Sequence, residues 1–382
     1  MKTTSQMLQK ILFLSLFLFL LLSVNAIEIK LGTKDHVTEL FSYPNAEHVD
    51  QSIEETVFIW MNSTLSREGY QDYSLEINQN DGEYVADVRM DDKNAQSFKE
   101  FFEKFLNVGD IGLRLTKEFQ KTGKWNETWR FLLPIGMAMG NSLTIEMMDF
   151  TPVSLLSRQD YLISQTTKRW KDLLSLNQVA FEDLDKYSAI LDIVPVAAPA
   201  SGGRVLDDSG IYDGPYNEYT FALLSLWCRK VSTHEVKPMI AFGAPIRKWI
   251  EKNFGINLPV LDITTIFLPD NTEIPVISSN HPSYFYYAVH ASKDLYENIK
   301  KGLEILKQDI VVACWQVEMG NRPSSDPFDV REECTEKWKG RERDLIPAII
   351  KHGSMKVKPE DLDYDKILSG QEQKEENGFL QY

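Results

Sequence analysis

Apolar residues fall into two textures along this chain. Up to about Phe150 they recur mostly at helical spacing, whereas from Ala189 to Cys314 short, wholly apolar runs alternate with amphipathic stretches. The spacing predicts helices near Val49–Thr64 and Ala95–Lys121, and in the second Phe98, Phe101, Phe102 and Phe105 share one face. That stripe reads as core packing rather than a membrane or partner surface, because amphipathic helices of folded domains turn their apolar side inward. Between the helices, Tyr73–Ile77 and Glu83–Arg89 alternate in polarity around Asn80-Asp81-Gly82. Asp-Gly between alternating runs predicts a β-hairpin.

After Thr151-Pro152 a helical pattern through Tyr161, Leu162, Trp170, Leu173 and Leu174 leads to Ala189–Val196, a β-rich run that ends in Ala197-Ala198-Pro199-Ala200-Ser201-Gly202-Gly203-Arg204. A strand opening into a glycine-rich loop with an arginine can cradle a polar or anionic ligand through converging N–H groups. A plain surface turn is the alternative, and the loop lacks a Walker lysine and a G-x-G-x-x-G pattern. Tyr216-Asn217-Glu218-Tyr219 leads a helix through Leu223, Leu224 and Trp227. Met239–Phe242 reads as a buried strand that breaks at Gly243 and opens a helix over Ile246–Asn253, with Pro245 near its start, where a missing N–H costs nothing. Ile274–Ser279 is another short apolar run, delivering Asn280, His281, Pro282 and Ser283 to a strand end; a helix from Lys293 to Lys307 and a last strand, Ile310–Cys314, follow.

This alternation predicts an α/β fold with a mostly parallel sheet and flanking helices, preceded by a helix-rich extension that carries the hairpin. The expected divisions are 1–26, 27–150, 151–315 and a charged, partly disordered 316–382. In open sheets of this kind ligands sit at the carboxyl ends of the strands.

Composition changes the picture in several ways. Met1–Ala26 has the three parts of a secretory signal peptide: Lys2 and Lys10, the apolar run Ile11–Val24, and the small-residue site Val24-Asn25-Ala26. A retained anchor is the alternative, since the apolar run is near the upper length limit. Sequons at Asn62 and Asn126 fit the same secreted or lumenal address. The three cysteines allow one disulfide, expected between Cys314 and Cys334, with Cys228 buried and inert. The formal charge of −15 falls to about −17 when Lys2 and Lys10 are subtracted with the leader, and such acidity disfavours tight non-specific binding to nucleic acid. No stretch after the leader is apolar enough for a stable membrane span; the nearest, Phe131–Phe150, carries Pro134, Glu146 and Asp149. Met137, Met139, Met147 and Met148 read as gap-filling core, because no cysteine or histidine accompanies them. Neither a metal nor a cofactor is expected. Asp361–Tyr382 is acidic and expected to be mobile.

Candidate chemistry concentrates in Lys237–Tyr287. His281 stands between Asn280 and Ser283 on a turn fixed by Pro282, and Tyr284, Phe285, Tyr286 and Tyr287 can stack on a ligand or pack into their own domain. The motifs G-x-S-x-G, H-E-x-x-H and C-x-x-C are absent. A Ser-His-Asp set from Ser201, Asp262 and His281 is available in residue type alone.

Three features together resemble the uracil-DNA glycosylase superfamily over roughly residues 187–314: Ile240-Ala241-Phe242-Gly243-Ala244, the strand leading to Asn280-His281-Pro282-Ser283, and the earlier strand ending in Pro199. The resemblance implies a uracil-DNA-glycosylase-like fold, a nucleobase-like ligand, and in His281 the family histidine that hydrogen-bonds the departing base. Val196 stands where the family has glycine, and Ala198 where its best-known branch has a water-positioning aspartate. Asp207, Asp208 and Asp213 are the candidates for restoring that carboxylate, with an ordinary solvated turn as the alternative. Ser201, Gly202, Gly203, Arg204, Asn217, Asn280, Ser283 and Tyr284 complete the expected ligand-binding set. Three functions remain open: a divergent member that binds a nucleobase-like ligand, an active N-glycosidic hydrolase, and a secreted hydrolase or interaction protein unrelated to that family.

Overall fold

A computed structural model describes residues 24–41, 52–67, 70, 73–121, 130–131, 142–149, 165–180, 183, 187–194, 196–197, 217–230 and 233–368. Most of the leader, the Asn126 sequon, Met137, Met139, the loop with Ser201, Gly202, Gly203, Arg204, Asp207, Asp208 and Asp213, and the tail from residue 369 lie outside the described residues. The chain forms two compact units, 1–114 and 115–382. The division therefore falls before residue 150, because a strand at Thr144–Met148 belongs to the sheet of the second unit.

The first unit contains β1 (Val24–Thr33), α1 (Lys34–Phe41), α2 (Ile53–Arg67), β2 (Ser74–Asn80), β3 (Glu83–Asp91) and most of α3 (Asp92–Lys121). Its strands pair antiparallel in the order β1-β3-β2. The β2–β3 turn places Asp81 at φ 51° and Gly82 at φ 85°, the left-handed pair that a two-residue hairpin demands. Phe98, Phe102 and Phe105 of α3 are buried, with successive ring centroids 5.7 and 5.5 Å apart, so the stripe is core. Asn62 lies on α2 and its Oδ1 accepts from the Tyr73 hydroxyl at 2.8 Å. Val24, Asn25 and Ala26 pair with Asp91, Met90 and Arg89, so a cut after Ala26 leaves Ile27–Thr33 to hold β3.

In the second unit β4 (Arg130–Phe131) pairs with β7 (Val196–Ala197). The main sheet consists of β5 (Thr144–Met148), β6 (Ser188–Asp192), β8 (Met239–Phe242), β9 (Ile263–Phe267) and β10 (Glu273–Ser279) in the order β6-β5-β8-β10-β9. The first four run parallel and β9 pairs antiparallel at the edge, so the unit is α/β with a mostly parallel sheet. The helices are α4 (Gln165–Leu176), α5 (Asn217–Trp227), α6 (Gly243–Phe254), α7 (Tyr284–Ala288), α8 (Leu295–Asn321), α9 (Pro327–Trp338), α10 (Glu342–His352) and α11 (Tyr364–Leu368). Successive strand residues face opposite sides: Ile240, Phe242 and Ile277 join the core built around α8, while Met239 and Ala241 alternate with them and α6 packs along the same strands.

One expectation is corrected here. The predicted helix to Lys307 and strand Ile310–Cys314 are a single helix, α8. No glycine or proline separates them, and Ile310–Gln316 is buried throughout, between the sheet and α4, α9 and α10. A short apolar run reads the same for a buried helix as for a buried strand. Within the charged segment after Asn321 the described residues run to Leu368, with Ile346, Ile349 and Ile367 fully buried. Cys314 and Cys334 form a disulfide that joins α8 to α9, with Cα atoms 5.7 Å apart, and Cys228 is buried outside that bond. Among the described residues no helix is long and apolar enough to cross a membrane, in agreement with the absence of a span after the leader.

Replacing both Cys314 and Cys334 by serine opens a cross-link spanning 20 residues and is expected to lower the unfolding free energy by about 3 kcal/mol, measured by urea titration. An unchanged midpoint would contradict the bond.

Candidate functional site

The carboxyl ends of β5, β6, β8 and β10 lie along one edge of the sheet, since all four strands run the same way. Met147, Ala241 and Ser278 are in register, so two residues further on Asp149, Gly243 and Asn280 come level, and His281 follows. Asp149 is kept beside β6 by the N–H of Val194, which donates to its carbonyl at 3.0 Å. β8 lies between β5 and β10, which separates Asp149 from the Asn280 turn by two strand spacings, roughly 10 Å.

Gly243 is what leaves room there. Its φ is +85°, and an added Cβ would lie 3.1 Å from the Cβ of His281. Any side chain at this position would meet both backbone strain and the Cβ of His281.

His281 is held by its own turn. Its Nδ1 accepts from the Ser283 N–H at 3.2 Å and lies 2.6 Å from Ser283 Oγ. With Nδ1 an acceptor, the ring proton sits on Nε2, which is then the free donor. Burial, reinforced by the Arg169 guanidinium, holds the imidazole down to about 4, so it is neutral at physiological pH. Arg169, on α4 and 8 % exposed, donates from Nη1 to Pro282 O at 3.3 Å and lies 5.3 Å from the Tyr286 ring centre. Arg247, in the first turns of α6, donates to Ser279 O at 3.3 Å. Two guanidinium groups thus bracket the Asn280-His281 turn, and burial lowers the pKa of both.

Beneath the turn lies α8. Asn280 Nδ2 donates to Gln308 Oε1 at 3.1 Å and to Asp309 Oδ1 at 3.3 Å, and Ser279 Oγ donates to the same Asp309 oxygen at 3.2 Å. Asp309 is 2 % exposed. Its carboxyl is pushed up to about 7 by burial, against the opposing hydrogen bonds from Asn280 and Ser279.

Of the residues singled out in the sequence, Asn280, His281, Ser283 and Tyr284 meet in this turn, with Tyr284 54 % exposed. Phe285 is buried, while Tyr286 and Tyr287 are exposed like Tyr284. Asn217 differs from expectation: its amide donates to Asn253 Oδ1 at 3.2 Å and accepts from Trp249 Nε1 at 3.0 Å. Those bonds fasten α5 to α6. Asp149, Arg169, Arg247 and Asp309 were not anticipated. Arg169 stands 113 residues from the carbonyl it meets, a separation that local pattern does not reveal. Among the described residues no three His, Cys, Asp or Glu side chains gather as a metal site.

The arrangement offers a neutral N–H donor and two nearby cations, with the backbone of Asp149 level with Gly243 on the neighbouring strand. It suits a polar, electron-rich ligand on which negative charge develops. A pH titration followed by ring nitrogen NMR is expected to show His281 neutral, with the proton on Nε2, down to about pH 4; an ordinary midpoint near 6.5 would contradict the assignment. Gly243→Ala is expected to cost about 1–2 kcal/mol from the left-handed backbone alone and to shift the His281 signals. Wild-type stability and unshifted signals would show that the close approach is absent.

Compared with known proteins, the chain matches no protein-family model and no curated protein.

Proposed function

We propose that the second unit is a divergent, uracil-DNA-glycosylase-like N-glycosidic hydrolase that takes a nucleobase-bearing ligand at the strand-end edge. One observation carries the reading: a neutral His281, whose Nδ1 accepts from Ser283 and whose proton is on Nε2, follows directly on Asn280, which comes level with Gly243 and Asp149. In such a reaction the C1′–N bond breaks and its electron pair leaves with the base. His281 Nε2–H donates a hydrogen bond to the base oxygen on which charge accumulates, and the field of Arg169 favours that charge. The carboxylate of Asp149 stabilises the sugar cation and takes a proton from the attacking water as its oxygen bonds to C1′. The departing base anion then takes up a proton, so the sum is base plus free sugar hydroxyl. Asp149 supplies the carboxylate that Ala198 does not.

The exposed rings of Tyr284, Tyr286 and Tyr287 beside the turn favour stacking on a base. A net charge of −15 favours a nucleoside or a short single strand over long duplex. The address we propose is the secretory pathway, on the strength of the leader pattern in Met1–Ala26 and the sequons at Asn62 and Asn126.

The test is release of free base from uracil-containing single-stranded DNA and from nucleosides. Release is expected, with losses of about 10²-fold or more in His281→Ala and in Asp149→Asn. Release that survives both substitutions would refute the assignment. Ligand binding that depends on His281 without release would make the protein a binder with the same site.

A further inference from the structure

We infer that Asp309, in the interior of α8, is a positioning residue for His281, acting through Ser279 and Asn280, the two residues that precede the imidazole. The inference depends on the proposed function only for the use to which His281 is put.

The contact is built from both sides. Asp309 Oδ1 accepts from Ser279 Oγ and from Asn280 Nδ2, and Gln308 Oε1 takes the second amide hydrogen. The carboxyl also accepts from the backbone N–H of Asn280. Two consecutive residues of one helix therefore fix both hydrogens of the Asn280 amide, and the chain that leaves β10 has one direction in which to enter the His281 turn. A buried carboxyl is a costly way to fill a helix interior; an apolar residue of similar size would serve packing at least as well. Its place there is explained by the polar strand end that it holds.

The groups facing Asp309 are few. From β10 they are Ser279 and Asn280, and on its own helix Gln308. Lys307 is paired with Glu342 of α10 at 3.1 Å. Asn177, which follows α4, donates its amide to the carbonyls of Leu173 and Ile310. No charged side chain among the described residues sets its ionisation, which is left to burial against hydrogen bonding, with burial prevailing. Near neutrality both forms are populated. The ionised form only accepts, and its charge-assisted bonds hold Asn280 firmly. Protonation on Oδ2 leaves Oδ1 accepting but removes the charge that strengthens its bonds from Ser279 and Asn280. Because the folded pKa is raised, the stability linked to Asp309 is full below about 3.8, the ordinary aspartate value, and is lost as pH rises through about 7.

The experiment follows the Asn280 side-chain amide by ¹⁵N NMR in the full chain from about pH 5 to about pH 9, in wild type and in Asp309→Asn. A single midpoint near 7 is expected in wild type and none in the variant, while the His281 ring nitrogens keep the neutral pattern in both. A flat wild-type profile, or the same midpoint in Asp309→Asn, would overturn the inference. The wild-type titration decides the matter even if the variant does not fold. No substrate enters the measurement, so a failure of base release and a failure of this contact are seen separately. Where release is measured, its pH profile is expected to lose an inflection near 7 in Asp309→Asn.

Discussion

Parallel strands cannot be joined by a tight turn, so long connections carry the chain from β5 to β6, from β6 to β8 and from β8 to β10. Their carboxyl ends consequently meet along one edge, and the residues just past those ends become neighbours whatever their separation in sequence. Asp149, Gly243 and Asn280 are brought level in this way by the pairing of β8 with β5 and β10. The rest of the site depends on that ladder. Glycine after the central strand lets the His281 turn approach closely, with an added Cβ 3.1 Å from the Cβ of His281.

The second determinant is burial. α8 runs under the sheet with almost no exposed surface along Ile310–Gln316, and a helix in that position can carry a polar side chain only where a partner waits. Asp309 finds Ser279 and Asn280; Gln316 finds Trp170, Thr144 and Glu146, with its amide donating to Glu146 Oε1 at 2.8 Å. The same desolvation that raises the carboxyl of Asp309 depresses the imidazole of His281. Opposite shifts from one cause give a neutral donor and a titrating acid within a few residues of one strand end. In a chain of net charge −15, Arg169 and Arg247 make the potential at this turn local rather than global, held by carbonyls of the turn itself.

What could be read from the sequence was what local pattern encodes. The Asp81-Gly82 hairpin, the phenylalanine stripe of α3, the buried strand Met239–Phe242 breaking at Gly243, and the strand that delivers His281 each depend on a few adjacent residues. The alternation of strands and helices gave the α/β class in the same way. Ile310–Cys314 failed because a wholly apolar run has no period to read, and the error had a consequence for the site. Gln308 and Asp309, treated as the break between a helix and a strand, are interior residues of α8 and the two that grip Asn280. Arg169 and Asp149 were beyond reach for another reason: their roles arise from strand order and register, which no window of sequence contains. Asn217 looked available as an amide after a loop, and only the packing of α5 on α6 shows where its bonds go.

The claim on which the account turns is that a nucleobase sits over Gly243 with His281 on one side and Asp149 on the other. Titrating free uracil into ¹⁵N-labelled protein and mapping the backbone shifts tests it directly. The account predicts saturable changes centred on Gly243, Asn280 and His281, reaching Asp149 two strands away. Changes centred elsewhere, or none at saturating base, would contradict it.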